Sequence, residues 1–293
     1  MTLIRDRYRP VRQLAQTTYG GVYLCNDELL LPRRVVLKSV SLVHAINMLD
    51  QHSDELQAPD DPRQEKAFAN LQRSEAAPHS NIVQYLDDFI EGHTLYFVLE
   101  YCAGGDLVSA VNRGQNRRLA CADALARVKQ IATGLAHLHS RSIAHRDLSL
   151  ENVMLSRDVC KIGDFGLSTR TDQQCFGRVG KAYYMAPEVV ASRAVYDPKA
   201  ADVWSLGIIL FILVTGSPLV SLATEEDAAF RAFRKVGVRD VMEAWRMDDL
   251  LEGSAMQLLH GMLQCDPTKR LTIEQVLNHA AFTQRNQSGN PSS

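Results

Sequence analysis

The most informative part of this sequence is HRDLSLEN, residues His145–Asn152, with DFG, residues Asp164–Gly166, following it. Together these segments contain an aspartate, an asparagine and a second aspartate at spacings that can serve one reaction. Asp147 can accept a proton from an alcohol, whereas Asn152 and Asp164 can hold Mg²⁺ against nucleotide phosphates. The pattern therefore predicts a single site that joins a base to a magnesium and phosphate centre.

The chain before this stretch is predicted to form mainly β-strands, because short runs rich in Val, Leu, Tyr and Phe follow one another. The runs are Tyr8–Ala15, Gly21–Asn26, Arg33–Ser39, Val83–Ile90 and Thr94–Glu100. One helix interrupts them, starting near Asp61-Pro62, where an acidic residue and a proline suit a helix start, and running to about Ala76. The polar residues 51–61 before it predict a surface loop.

The chain after Gly104-Gly105 is predicted to be mainly helical. Within Ala120–Ser140, apolar side chains recur at helical spacing. Further helices are predicted at Lys199–Thr215, Glu225–Lys235, Gly253–Gln264 and Thr272–His279. Two glycines within Tyr101–Asp106 suit a hinge, so we expect a small strand-rich lobe followed by a larger helical lobe. From Gln284 onward the chain lacks apolar residues, and this tail is predicted to be disordered.

The composition argues against several classes of protein. The 293 residues are 46% hydrophobic, and their net charge of -2 does not suit a nucleic-acid-binding protein. Six cysteines without C-x-x-C pairs predict free thiols in a reducing compartment. Met1–Pro10 lacks the apolar core of a secretory signal, and the longest apolar run, Val203–Val214, is shorter than the ~20 residues of a membrane span. We expect a cytoplasmic or nuclear protein without a membrane span, and its oligomeric state stays open.

The order and spacing of the motifs resemble those of the eukaryotic protein kinase family, from about Tyr8 to Phe282. The resemblance implies a bilobal α+β fold, in which a small antiparallel β-sheet lobe with one helix precedes a larger, mostly helical lobe. Its domain is expected at residues 1–283, with the small lobe at about 1–101, the hinge at about 100–106 and the large lobe at about 107–283. The resemblance also implies ATP and Mg²⁺ as cofactors and a protein as the substrate.

A nucleotide site follows from the resemblance. LAQTTYGGV, residues 14–22, is similar to the glycine-rich loop over the ATP phosphates, although only Gly20 matches a family glycine and Ala15 and Thr17 replace the other two. In VVLK, residues 35–38, the lysine is the one that holds the α- and β-phosphates. The expected nucleotide contacts are Ala15, Gly20, Val22, Val36, Lys38, Leu99 as gatekeeper, Glu100 and Cys102 at the adenine edge, Asp106 at the ribose, Met154 under the adenine, and Asp164.

The resemblance also implies partners for these residues. Lys38 requires a carboxylate on the following helix, for which we choose Glu65, while Glu55 and Glu75 remain alternatives. Asn152 and Asp164 are the expected metal ligands. GKAYYMAPE, residues 180–188, is similar to the segment that receives the substrate, and its Glu188 is expected to pair with Arg270. Asp202 is expected to support the catalytic loop.

Two positions depart from the family together. Ser149 stands where serine/threonine kinases usually have a lysine, and Lys181 stands where they usually have a threonine. Our hypothesis is that Lys181 supplies the missing charge and Ser149 the hydroxyl; the alternative is a plain loss at Ser149 and a solvated Lys181. The expected catalytic residues are therefore Asp147, Lys38, Glu65, Asn152, Asp164, Lys181 and Ser149.

The expected activity is transfer of the ATP γ-phosphate to serine or threonine. Tyr184-Met185 occupies the place where tyrosine kinases carry a tryptophan before Ala-Pro-Glu. One alternative is a pseudokinase or scaffold, which the altered loop and Ser149 favour and the retained Lys38, Asp147, Asn152 and Asp164 oppose. Another is a small-molecule phosphotransferase, which the complete Ala-Pro-Glu segment opposes. Cys175-Phe176-Gly177, near the usual phosphorylation site, contains no hydroxyl, so we predict activity without phosphate there.

Overall fold

The strand β3, Arg33–Ser41, shows how the small lobe is built. Its side chains alternate, so Val35 and Leu37 are buried in one apolar cluster, whereas Val36 and Lys38 face a cavity on the other side of the sheet. The computed structural model describes residues 3–30, 33–51, 61–113, 117–192 and 194–283. The predicted tail at 284–293 and most of the predicted loop at 51–61 lie outside the described residues.

Five antiparallel strands form the sheet of the small lobe, in the order β1-β2-β3-β5-β4. Besides β3, they are β1 (Tyr8–Thr17), β2 (Gly20–Asp27), β4 (Tyr85–Glu91) and β5 (Thr94–Glu100). All five were predicted, with ends that differ by at most two residues. The chain turns from β1 to β2 through two residues, which places the predicted nucleotide loop at a tight hairpin.

Two helices accompany this sheet within the described residues, so the prediction of a single helix was wrong. The additional helix is α1, Leu42–Gln51, in which Ala45 is buried and Leu42 and Met48 pack against the core. These three positions follow helical spacing, but the exposed Val43 and Ile46 obscure it by extending the apolar pattern around the helix.

The helix α2, Pro62–Ser74, begins as the sequence predicts. The carboxylate of Asp61 caps it by accepting a hydrogen bond from the Arg63 amide at 2.9 Å, and Pro62 occupies the first turn. Its buried residues include Glu65, Phe68, Ala69 and Gln72, which share one face. Glu65 is therefore carried on the face that packs toward the sheet.

The large lobe is mainly helical, as predicted. Its helices are α3 (Leu107–Asn112), α4 (Cys121–Ser140), α5 (Pro187–Ala191), α6 (Pro198–Thr215), α7 (Ala228–Ala244, interrupted at Gly237), α8 (Gly253–Met262) and α9 (Ile273–Leu277). By length and composition α6 could span a membrane, but it is mostly buried in the protein and packs against α4 and α8. The fully buried Trp204 and Phe211 each contribute about 1.5–3 kcal/mol of apolar burial to this core.

Short strands position the catalytic segments of the large lobe. The hairpin of β8 (Val153–Ser156) and β9 (Val159–Ile162) forms a small sheet with β6 (Gly105–Asp106), while β7 (Ile143–Ala144) pairs with β10 (Thr169–Arg170). Asn152 immediately precedes β8 and Asp164 closely follows β9. Because adjacent antiparallel strands bring their outer ends together, the hairpin places these two residues side by side.

All six cysteines are free thiols, as the sequence predicts, and four of them are buried.

Candidate active site

A cavity of about 630 Å³ lies between the sheet of the small lobe and the β8–β9 hairpin. It brings together most of the predicted nucleotide residues. Its lining includes Ala15, Val22, Val36, Lys38, Leu99, Glu100, Cys102, Asp106, Asn152, Met154 and Asp164. Apolar side chains on both walls and a few polar groups at one end are typical of a small-molecule site.

Gly20 differs from the other predicted nucleotide residues, because it lines a separate groove on the opposite side of the sheet. A Cβ at this position would lie 2.3 Å from the carbonyl oxygen of Ser39, so the glycine is required for the close approach to β3. The Ser39 hydroxyl accepts a hydrogen bond from the Gly21 amide at 3.0 Å and donates to the Gly21 carbonyl at 3.1 Å. The start of β2 is therefore held by β3, a role for Ser39 that the sequence did not indicate.

Lys38 lies at the polar end of the cavity between two carboxylates. Its Nζ is 2.8 Å from Glu65 Oε2 and 2.7 Å from Asp164 Oδ1. Glu65 also accepts a hydrogen bond from the Tyr85 hydroxyl at 2.6 Å. Of the alternatives for the partner of Lys38, Glu75 instead pairs with His137 and Arg141, and Glu55 lies outside the described residues.

The charges of this group depend on one another. Burial of the Lys38 ammonium acts to lower its pKa, but the carboxylates of Asp164 and Glu65 outweigh this and raise the pKa above its ordinary value. The charge of Lys38 lowers the pKa of Asp164 to about 2. Burial raises the pKa of Glu65, although Lys38 and the Tyr85 hydroxyl oppose the shift. Tyr85 was not predicted, because only the packing of β4 on α2 brings it to Glu65.

The orientation of Asp164 follows from the packing of the next residue. Phe165 is fully buried and stacks on Phe68 of α2, with ring centroids 3.6 Å apart. Asp164 itself has a φ of 59°, a left-handed conformation that is costly for a residue other than glycine. Phe165 therefore anchors the segment beneath α2, and the strained backbone turns Asp164 toward Lys38.

Asp147 and Asn152 are joined in the catalytic loop. The Asn152 Nδ2 donates to the Asp147 carbonyl at 2.8 Å and to Asp147 Oδ2 at 2.7 Å. The loop is supported from below by Asp202 of α6, which accepts hydrogen bonds from the His145 and Arg146 amides at 2.8 Å each. Asp202 thus has the supporting contacts that were predicted.

The donor set fits a magnesium ion. Asn152 uses its amide nitrogen for Asp147, and Asp164 uses one oxygen for Lys38, so each retains a side-chain oxygen without a hydrogen bond from the described residues. The Asp164 side chain is also 50% exposed. Mg²⁺ is commonly held by one or two such oxygens together with nucleotide phosphates and water.

The hinge residues have additional contacts. The carboxylate of Glu100 pairs with Lys161 at 2.8 Å, and the Glu100 amide donates to the Gln84 carbonyl at 3.0 Å. The carbonyl of Cys102 accepts a hydrogen bond from the Gly105 amide at 3.2 Å. Asp106, the predicted ribose ligand, caps α3 by accepting from the Ser109 amide at 2.6 Å and the Ser109 hydroxyl at 2.8 Å. Its carboxylate is therefore already engaged at the cavity wall.

Lys181 and Ser149 have different surroundings. The Lys181 Nζ is 2.7 Å from Asp147 Oδ2, and its amide donates to Asp147 Oδ1 at 3.1 Å. Ser149 is fully buried, and its hydroxyl has no hydrogen-bond partner among the described residues. The lysine reaches Asp147 as hypothesised, whereas the serine hydroxyl does not make the contact expected of an exchanged threonine.

The substrate segment is attached to the large lobe. Arg270 binds Glu188 through both carboxylate oxygens, at 2.6 Å and 3.0 Å, which is the predicted pair. The Tyr184 hydroxyl accepts a hydrogen bond from the Leu150 amide at 3.4 Å, and the Tyr184 carbonyl accepts from the Ser205 hydroxyl at 2.8 Å. The segment is therefore linked to both the catalytic loop and α6.

Comparison with known proteins agrees with this geometry. A sequence profile described as the protein kinase domain matches residues 8–282. The chain belongs to the protein kinase family. The kinase domain is 36% identical over 211 residues to the serine/threonine-protein kinase PLK4 of Drosophila willistoni, an alignment that covers 71% of this chain and 26% of that protein.

Two plant relatives align over most of the kinase domain. Calcium-dependent protein kinase 10 of Arabidopsis thaliana is 34% identical over 95% of this chain and 48% of its own length. CBL-interacting protein kinase 26 of Oryza sativa is 30% identical over 96% of this chain and 53% of its own length. The chain thus spans between about a quarter and about half of the length of these curated relatives.

Proposed function

We propose that this kinase domain transfers the γ-phosphate of ATP to serine or threonine hydroxyls of protein substrates. The observation that carries the proposal is the position of Lys38 between Glu65 and Asp164, next to the joined Asp147 and Asn152. The lysine–glutamate pair and the orientation of the DFG aspartate are both needed for phosphotransfer in this family. Both are present.

Each residue has a role in this reaction. Asp147 accepts the proton of the substrate hydroxyl while the hydroxyl oxygen bonds to the γ-phosphorus. The bond between that phosphorus and the β–γ bridging oxygen breaks, and ADP is released. Lys38 holds the α- and β-phosphates, and Glu65 fixes Lys38. Asn152 and Asp164 would hold Mg²⁺, which would supply the positive charge that neutralises the phosphates.

The apolar walls of the cavity suit an adenine ring. Val22 and Val36 cover one side and Met154 the other, while the main chain at Glu100 and Cys102 supplies hydrogen-bonding groups for the edge of the ring. The Asp106 carboxylate already caps α3, so it would bind the ribose hydroxyls in addition to its hydrogen bonds from Ser109.

Serine and threonine are the favoured acceptors for two reasons. The segment before Ala-Pro-Glu is Tyr184-Met185, without the tryptophan typical of tyrosine kinases. In addition, the aligned relatives are named as protein kinases, and PLK4 is named as a serine/threonine kinase. The ion pair of Glu188 and Arg270 anchors the substrate segment, which supports a protein as the substrate.

Phosphate transfer by wild-type protein and by Asp147→Asn tests the proposal. A peptide array with labelled ATP reports transfer, and calorimetry with Mg²⁺ and ATP reports binding. We expect transfer to serine and threonine peptides by wild type, a large loss in Asp147→Asn, and nucleotide binding by both. The exposed Asp240→Asn is the matched control and should behave as wild type.

The alternatives give different results in the same experiment. A pseudokinase would bind nucleotide without transferring phosphate to any peptide in either form. A small-molecule phosphotransferase would consume ATP in the presence of small alcohols but not of peptides. Either outcome would contradict the proposed function.

A further inference from the structure

The ion pair between Lys181 and Asp147 places a cation at the centre of the reaction. The Lys181 side chain is 38% exposed and that of Asp147 is 14% exposed, so the pair lies at an open but partly shielded surface. The Asp147 Oδ2 contacted by Lys181 is the oxygen that also accepts the Asn152 amide. The Lys181 ammonium therefore lies beside both the base and a predicted metal ligand.

Gly180 explains how the segment comes so close. Its φ is 92°, and a Cβ at this position would lie 2.7 Å from the Arg146 carbonyl oxygen and 3.4 Å from Asp147 Oδ1. Only a glycine allows this approach, which brings the Lys181 amide to Asp147 Oδ1. The contact is thus made by the main chain as well as by the flexible side chain.

Ser149 supplies no cation to the catalytic loop. It is fully buried two residues after Asp147, and its hydroxyl has no partner among the described residues. A buried hydroxyl without a partner contributes no stabilising hydrogen bond. The catalytic loop itself therefore presents no cation next to Asp147 at this position.

We propose that Lys181 is a catalytic residue, whose ammonium leaves Asp147 for the transferring phosphoryl group and stabilises its charge in the transition state. This inference rests on the proposed function and names a residue for it. It also revises the exchange hypothesis: the charge has moved to position 181, but the Ser149 hydroxyl makes no compensating hydrogen bond with any residue that the structure describes. A fixed charge-stabilising donor of this kind commonly supplies ~10²–10³-fold in turnover.

The first experiment moves the charge back to the catalytic loop. We compare wild type with Lys181→Thr, Ser149→Lys and the double variant Ser149→Lys/Lys181→Thr. Lys181→Thr is expected to lower kcat by ~10²-fold while KM for ATP is unchanged, because the interaction is made in the transition state. The kcat of the double variant is expected to be at least about tenfold higher than that of Lys181→Thr, because the two positions are coupled.

A merely structural role for Lys181 gives another pattern. Equal turnover of wild type and Lys181→Thr would overturn the inference. Faster turnover of Lys181→Thr would also overturn it, because Lys181 would then block the base. If Ser149→Lys does not fold at this buried position, the second experiment decides.

The second experiment uses wild-type protein and does not depend on turnover. An ATP analogue with an acyl group on its γ-phosphate acylates amines within reach: the lysine nitrogen bonds to the acyl carbon, the amine loses a proton, and ATP leaves. Mass spectrometry is expected to find the label on Lys38 and Lys181, and excess ATP is expected to prevent both. Lys269, 73% exposed, reports background labelling.

The outcomes separate the inference from the proposed function. Labelling of Lys38 with Lys181 at the level of Lys269 would overturn the inference but leave the function intact. Labelling of neither Lys38 nor Lys181 would show that nucleotide does not enter the cavity, which contradicts the proposed function.

Discussion

Arg146 donates a hydrogen bond from its guanidinium to the Tyr196 hydroxyl at 3.2 Å. In this family the arginine before the catalytic aspartate often binds an activation-segment phosphate, but here Arg146 binds the neutral side chain of Tyr196. Burial raises the pKa of Tyr196, so its hydroxyl remains protonated at neutral pH. The main chain at Cys175 pairs with Tyr196 as well, which ties the activation segment to the same point.

Activity is therefore predicted to be independent of phosphate near Cys175 and dependent on Tyr196. Tyr196→Phe removes the hydroxyl beside a partly buried guanidinium and should reduce stability by about 1–3 kcal/mol and lower turnover. Phosphatase treatment of wild type should change neither. Thermal unfolding and peptide phosphorylation are the measurements. The control is Tyr96→Phe, which removes a tyrosine hydroxyl from β5 of the small lobe. Loss of activity on phosphatase treatment would contradict this view.

Because Gly180 lies close to the catalytic loop, we expect Gly180→Ala to lose both stability and turnover. Gly180→Ala adds both a positive-φ penalty of about 1–2 kcal/mol and a collision with the Arg146 carbonyl. Gly92→Ala carries only the first cost, because nothing lies within 4 Å of its Cβ. We expect Gly180→Ala to lose more stability than Gly92→Ala and, unlike it, to lose turnover. Equal behaviour of the two variants would show that the close approach is unimportant.

The buried pair of Arg270 and Glu188 should matter more than a surface pair. Glu188→Gln leaves a guanidinium whose side chain is 0% exposed without its anion, which typically costs about 3–5 kcal/mol. Asp172→Asn removes a partner of Arg170 at the surface and should leave Tm unchanged. Denaturant unfolding of the two variants measures the difference. Similar stabilities would mean that the hydrogen bonds from Arg270 to the Ala200 and Gln264 carbonyls, at 2.7 Å and 2.9 Å, suffice.

The pair of Arg7 and Asp27 predicts an acid-sensitive contribution to stability. Two hydrogen bonds from Arg7, at 2.8 Å and 2.7 Å, lower the pKa of Asp27 below its ordinary value of 3.8. A carboxyl whose folded pKa is depressed stabilises the fold above its unfolded pKa and loses this effect as pH falls through the folded pKa. Between about pH 5 and 3, wild type should lose more stability than Asp27→Asn. If the free energies of unfolding of the two proteins fall equally with pH over that range, the prediction is wrong.

Most of the fold could be predicted because local patterns agree with it. The strands are short runs rich in Val, Leu, Tyr and Phe, and Asp61 and Pro62 mark the start of α2. The helix α6 is apolar on nearly all sides because it is mostly buried. The helix α1 was missed, because two exposed apolar residues hide its buried stripe. Nothing in the sequence near α2 distinguishes Glu65 from other glutamates except its helical spacing with Phe68 and Leu71, and of these two Leu71 is exposed in the structure.

The sequence by itself determined the chemical groups of the site and their order: Lys38, a glutamate on the next helix, Asp147, Asn152 and Asp164. Only the tertiary structure decided which groups meet. Tyr85 donates a hydrogen bond to Glu65, and Arg146 donates one to Tyr196. Lys181 bonds to Asp147, while the Ser149 hydroxyl has no partner in the described part of the chain. The physical reason is that each of these contacts joins segments far apart in the chain, and their distances depend on the packing of α2, α6 and the substrate segment rather than on any local pattern.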